Sequence, residues 1–197
     1  MRSTIWAVAP ALALIFSGLT LPAVAQQRAA TSAPQERATT VRRTTLLVED
    51  LDRAIDFYQR LGLTKWYDKA TQEGDPGGVL GAADLPLTAD PKVGRLVIMK
   101  GNDERIGMIG LLAYDRPKLP SARGNLAGLG AGDIVIMMEV PDIGETYRRL
   151  SQIGTRFHRT PYRYTVTAAD GTQKSGQRLF AFDPDGHLVE VVEEGRK

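Results

Sequence analysis

Two stretches of this chain are written to the same plan, and that internal repeat limits the folds open to it more than any single motif. In the first, Leu47-Val48-Glu49-Asp50-Leu51 leads into Ala54, Ile55, Tyr58 and Leu61 at helical spacing, and Gly62 follows. In the second, Glu139-Val140-Pro141-Asp142-Ile143 leads into Tyr147, Leu150 and Ile153, and Gly154 follows. Aspartate suits the start of a helix because its side chain accepts a backbone N–H of the first turn, and glycine suits the stop. A β-rich run opens each unit, Thr44 to Val48 and Ile134 to Val140. Strands close each unit: Thr64 to Tyr67, Arg95 to Lys100 and Arg105 to Tyr114 in the first, with a Gly- and Pro-rich loop from Gly74 to Gly94 and a hairpin turn around Gly101-Asn102-Asp103. In the second come Arg156-Phe157-His158, Tyr162 to Thr167, a turn at Asp170-Gly171, Gln177 to Phe182 and a closing strand from His187 to Glu193. The chain therefore reads as an α+β protein, one strand-helix-strand-strand-strand module written twice, which predicts pseudo-twofold architecture.

The amino terminus has a different character. Met1-Arg2 precedes an uncharged apolar run from Ile5 to Ala25 that ends in Ala23-Val24-Ala25 before Gln26. A basic start, an apolar centre and a small-x-small site make a secretory signal peptide, and Pro10 and Pro22 argue against a retained span. Residues 1 to 25 are read as the leader, 26 to 40 as a flexible spacer, and 41 to 194 as a single domain with modules at about 41 to 115 and 133 to 194. The expectation is a secreted, periplasmic protein with no membrane attachment after cleavage. The formal net charge of +2 includes Arg2, so the mature chain is nearly neutral and has no electrostatic case for nucleic acid. With no cysteine in the chain, disulfides and thiolate metal sites are excluded.

The closing strand carries the chemistry. Asp183-Pro184-Asp185-Gly186 suits a β-turn, and it feeds Leu188-Val189-Glu190-Val191-Val192. A period of two puts Leu188, Glu190 and Val192 on one face, so Glu190 is a carboxylate between two apolar neighbours. His187 falls on the other face and is expected on the solvent side.

The order and spacing of Val48-x-Asp50-Leu51 with Ala54 and Phe57-Tyr58, then Val140-x-Asp142-Ile143, then Asp183-Pro184-Asp185-Gly186 with Glu190, resemble the glyoxalase, bleomycin-resistance and extradiol-dioxygenase superfamily. The resemblance spans roughly residues 41 to 194. It implies paired β-α-β-β-β modules whose curved mixed sheet surrounds a cleft. It also implies a divalent metal held by the first and last strands of each module, and often a homodimer. Carried over position by position, those ligand sites fall on Arg43, Gly110, Val135 and Glu190, of which only Glu190 matches. A divalent ion needs about three protein ligands at roughly 2.0 to 2.2 Å. No metal or other cofactor is therefore expected. The favoured reading is a binder of a small, partly hydrophobic molecule. The alternative is a metal-dependent glyoxalase-type lyase or isomerase, or a dioxygenase, holding Fe, Mn, Ni or Zn through His158, Glu139 and Glu190.

By the same alternation Arg43, Thr45, Met108, Val135, Met137, Glu139 and His158 are candidate ligand-binding residues, and Glu190 the candidate catalytic residue. Arg43 and Glu190 are expected to face one another as an ion pair or jointly to hold a ligand. Methionine adapts to varied ligand shapes, and Tyr162, Tyr164 and Phe180 are expected to add aromatic surface at the mouth.

Overall fold

Each module begins its helix in the same way. Asp50 accepts the Arg53 N–H at 3.1 Å and Asp142 accepts the Glu145 N–H at 2.8 Å, both from extended backbone, so each helix starts on a satisfied donor. The stops match too: Gly62 and Gly154 take φ of +100° and +69°, and the next residues donate back to Tyr58 O at 3.1 Å and Leu150 O at 3.3 Å. The computed structural model describes residues 39–121 and 128–195; the expected leader and most of the expected spacer lie outside them.

The order is β1 (Arg43–Leu47), α1 (Leu51–Arg60), β2 (Thr64–Gln72), β3 (Val93–Lys100), β4 (Met108–Asp115), β5 (Val135–Glu139), α2 (Ile143–Ser151), β6 (Phe157–Thr167), β7 (Gln173–Phe182) and β8 (Leu188–Glu194). Two four-stranded sheets result, ordered β1-β4-β3-β2 and β5-β8-β7-β6. In each the opening strand runs parallel to the closing one, and the other pairs are antiparallel. The repeat expected from sequence is thus a repeat of topology.

Alternation then decides what is covered. Leu46, Val97, Met99, Ile109 and Leu111 of the first sheet and Leu179, Ala181, Val189 and Val191 of the second form one core with Ala54, Phe57 and Tyr58 of α1 and Ile143 and Leu150 of α2. Burying each large apolar side chain contributes about 1.5 to 3 kcal/mol, so this shared core holds the modules together. Thr146 is fully buried within it because its hydroxyl donates to Asp142 O at 2.8 Å.

Strand limits shift where local hydrogen bonds compete. β4 begins at Met108 rather than Arg105, because Asp103 captures the Arg105 and Ile106 N–H groups at 2.6 and 3.0 Å. The two runs around Phe157 and Tyr162 join into one strand, β6, across register shifts on either side of Arg159. Pro161 has no N–H to give, and a bulged strand at the sheet edge tolerates that. β2 runs on to Gln72, past the predicted end at Tyr67, because β3 starts at Val93 and pairs with it.

The turn before β8 ties the two modules. Gly186 N–H donates to Asp183 O at 3.0 Å, closing the expected β-turn. The Asp183 carboxylate, buried, accepts the N–H groups of Asp185 and His187 at 3.1 and 2.7 Å, Tyr58 Oη from α1 at 3.1 Å, and faces His187 Nδ1 at 3.0 Å. His187 is thereby turned inward, with its side chain 16% exposed, which corrects the expected solvent-side position. Burial pushes the Tyr58 phenol far above its ordinary value, so it stays a donor. Tyr58→Phe is expected to lower stability by about 1 to 2 kcal/mol, and Asp183→Ala, which strands every one of these donors, by more than about 3 kcal/mol. Urea unfolding midpoints at unchanged m-value measure both.

Candidate functional site

Register places the candidate residues on the sheet faces turned away from the helices. Across β1 and β4, Arg43 lies beside Met108, Thr45 beside Gly110 and Leu47 beside Leu112. Across β5 and β8, Val135 lies beside Leu188, Met137 beside Glu190 and Glu139 beside Val192. The helix-free face of the second sheet therefore carries Val135, Met137, Glu139 and Glu190 together, and that of the first carries Arg43, Thr45 and Met108. Met137 is 64% exposed and Val135 and Leu47 each 46%. These apolar side chains lie open on sheet faces, although strand residues of this type usually pack.

Gly110 is explained by crowding. A Cβ there would stand 2.8 Å from Thr45 Oγ1 and 3.1 Å from Arg43 Cδ, so the side chains of β1 fill the space that a residue at this position needs. Arg43 lies along this glycine, is exposed, and forms no ion pair among the described residues.

Glu190 has another partner. Arg178 Nη1 of β7 donates to Glu190 Oε1 at 3.1 Å, with side-chain exposures of 24% and 19%. The direct Arg43 ion pair expected from sequence is corrected: Arg178, on the strand hydrogen-bonded to β8, takes that place at Glu190, and Arg43 forms no ion pair among the described residues. Arg178 also lies over Tyr164 at 4.5 Å and Tyr162 at 5.5 Å, and Arg159 over Tyr162 at 3.6 Å, all from guanidinium carbon to ring centroid. His158 is exposed and meets Phe180 and Phe182 edge-on at 6.3 and 6.5 Å. Sequence reading singled out the aromatics but missed both arginines, which alternation alone marks as strand residues of either face.

A second feature was not foreseen. A cavity of about 610 Å³ opens at the end of β1, lined among others by Thr45, Leu47, Leu112, Tyr114, Asp185 and His187. Asp185 Oδ1 accepts the Glu49 N–H at 2.7 Å, while its Oδ2 is buried without a partner. Burial accordingly raises the Asp185 carboxyl above its ordinary value.

The four positions at which the resemblance implies metal ligands hold a guanidinium, a glycine whose space is filled, a valine and a carboxylate already paired. Arg43 and Val135 have no lone pair to offer, so these residues do not fit a divalent ion. Nor do His158, Glu139 and Glu190 assemble, since among the described residues no three His, Asp or Glu side chains form a metal-holding group.

The family model for the Glyoxalase/Bleomycin resistance protein/Dioxygenase superfamily matches residues 40–191. Among solved structures, a glyoxalase family protein from Bacillus cereus is similar at 20% identity, covering 83% of this chain and 99% of that one, with a TM-score of 0.58. A member of the same superfamily from Sphaerobacter thermophilus is similar at 23% identity, 80% and 98% coverage and a TM-score of 0.44. The trypanothione-dependent glyoxalase I of Leishmania major is similar at 19% identity, 79% and 87% coverage and a TM-score of 0.48. None of the curated proteins matches the sequence.

Two outcomes follow from this geometry. Gly110→Ala is expected to destabilise by about 1 to 3 kcal/mol through overpacking, and Thr45→Ala in the same chain to recover part of the loss; a double-mutant cycle by chemical denaturation measures it. For Asp185 the folded-state value lies above the unfolded one, so the folded protein binds more protons in that window and stability falls as pH rises through it. Asp185→Asn keeps an acceptor for Glu49 N–H and removes the buried charge. It is expected to be more stable than the parent at neutral pH, the gain vanishing as pH falls below the ordinary aspartate range, read from melting temperatures across pH.

Proposed function

Because the chain belongs to the Glyoxalase/Bleomycin resistance protein/Dioxygenase superfamily, we propose that it is an exported, metal-independent member that binds a small, partly hydrophobic organic molecule. The observation that carries this reading is the donor set: Arg43, Gly110 and Val135 stand where ligands are needed, and Glu190 is held by Arg178. A carboxylate that a guanidinium already compensates is a poor competitor for a cation, because binding the ion requires breaking the pair. Glu190 serves in this reading to anchor Arg178.

Ligand binding is supported by the open apolar surface of Leu47, Val135 and Met137 and by the cavity of about 610 Å³ beside Thr45 and Leu47, which falls within the size range of small-molecule sites. Removing Met137 and Val135 from water on binding adds roughly 1.5 to 3 kcal/mol for each side chain fully covered. Export to the periplasm rests on the leader ending at Ala25.

Elemental analysis of protein purified without chelator is the test. The expected result is no stoichiometric Fe, Mn, Ni or Zn, together with saturable binding of an apolar fluorescent probe that Met137→Asp weakens. A stoichiometric metal bound through Glu190 would overturn the reading.

A further inference from the structure

We propose that the molecule bound on the helix-free face of the second sheet is a planar anion, an aromatic carboxylate, sulfonate or phosphate ester, stacked against the Arg159–Tyr162–Arg178–Tyr164 cluster. The proposal rests on the reading above that this protein binds small organic molecules, and it names their class. Register puts the participants on one surface: Tyr162 pairs with Arg178, Phe180 with Glu190, and Glu190 with Met137. Tyr162 and Tyr164 are half-buried, so their rings are held in place.

Charge then selects the ligand. Arg178 is compensated by Glu190 through one contact, and its Nε has no acceptor. Arg159, exposed over Tyr162, has no carboxylate partner among the described residues. Arg156, stacked over Phe182 at 3.7 Å, likewise has none. Of the other carboxylates of this face, Glu194 on β8 is neutralised by Lys174 of β7 at 3.1 Å, and Glu139 stands on β5, three strands from β6, or about 14 Å away at the usual strand spacing. That exceeds the screening length of roughly 8 Å at physiological salt, so the tyrosine end of the face stays cationic. A flat anion gains both stacking and charge-assisted hydrogen bonds there, a flat neutral molecule gains stacking alone, and a flat cation is repelled.

The experiment uses a matched pair of probes in fluorescence titrations of the purified protein: 1-anilinonaphthalene-8-sulfonate, and N-phenyl-1-naphthylamine, which has the same rings without the sulfonate. The sulfonate is expected to bind about tenfold or more tightly than its neutral counterpart, and Arg159→Gln to cut that ratio to about threefold or less, with the larger loss falling on the sulfonate. Arg159→Lys is expected to keep most of the preference, and added salt to shrink it. Arg159 is exposed, so its variants test the idea even where Arg178→Gln fails to fold. Equal affinity for the two probes, or an anion preference that survives Arg159→Gln, would overturn the planar-anion inference and leave the general binding reading standing. Binding of neither probe would overturn both.

Discussion

The buried carboxylate of Asp183 is the constraint from which much of the remaining geometry follows. An isolated charge in a protein interior is strongly disfavoured, so this one persists because the chain supplies donors to it: two backbone N–H groups of its own turn, the phenol of Tyr58 and the ring of His187. The turn so held delivers β8 between β5 and β7, and β8 carries Glu190. Tyr58 stands on α1, and the neighbouring Asp185 takes the Glu49 N–H at the end of β1, so the same few residues also tie the second module to the first. Local turn chemistry and module assembly are therefore one interaction.

With the helices committed to one face of each sheet, the other face is left to function. Alternation sends every second strand residue there, and the consequence differs between the modules. In the first, Ile98, Met108 and Leu112 are nevertheless buried. In the second, Leu188 and Val192 are buried likewise, and Val135 and Met137 lie open as Leu47 does in the first, but here beside a row of arginine–aromatic contacts. The repeat is faithful in topology and departs in surface chemistry. Backbone hydrogen bonds depend little on side-chain identity, so the two halves of the chain can diverge on a free face without disturbing the ladders beneath it.

How much of this was legible in the sequence depends on the range of the interaction involved. The two Asp caps, the two Gly stops and the Asp183–Gly186 turn act within five residues, and all appear in the expected places. Strand limits were less legible, because competition such as Asp103 taking two N–H groups, or β3 extending β2, is settled by partners the local pattern does not name. The partner of Glu190 was misread for the same reason. Arg43 occupies the expected strand position, but Arg178 lies one hydrogen-bonded strand away.

Periodicity and capping residues by themselves determined that this chain forms two strand-helix-strand-strand-strand modules, because those signals are local and written twice. The resemblance to the superfamily, carried by motif order and spacing, implies ligand positions that fall on Arg43, Gly110 and Val135, and residue identity at a position needs no coordinates. Tertiary structure decided the rest: that His187 turns inward to Asp183, that Arg43 and Thr45 fill the space at Gly110, and that Arg178 reaches both Glu190 and the tyrosines. The last two depend on which strands lie side by side, and strand adjacency is fixed by pairing between segments far apart in the chain, whereas the first is a contact within one turn that strand alternation does not describe.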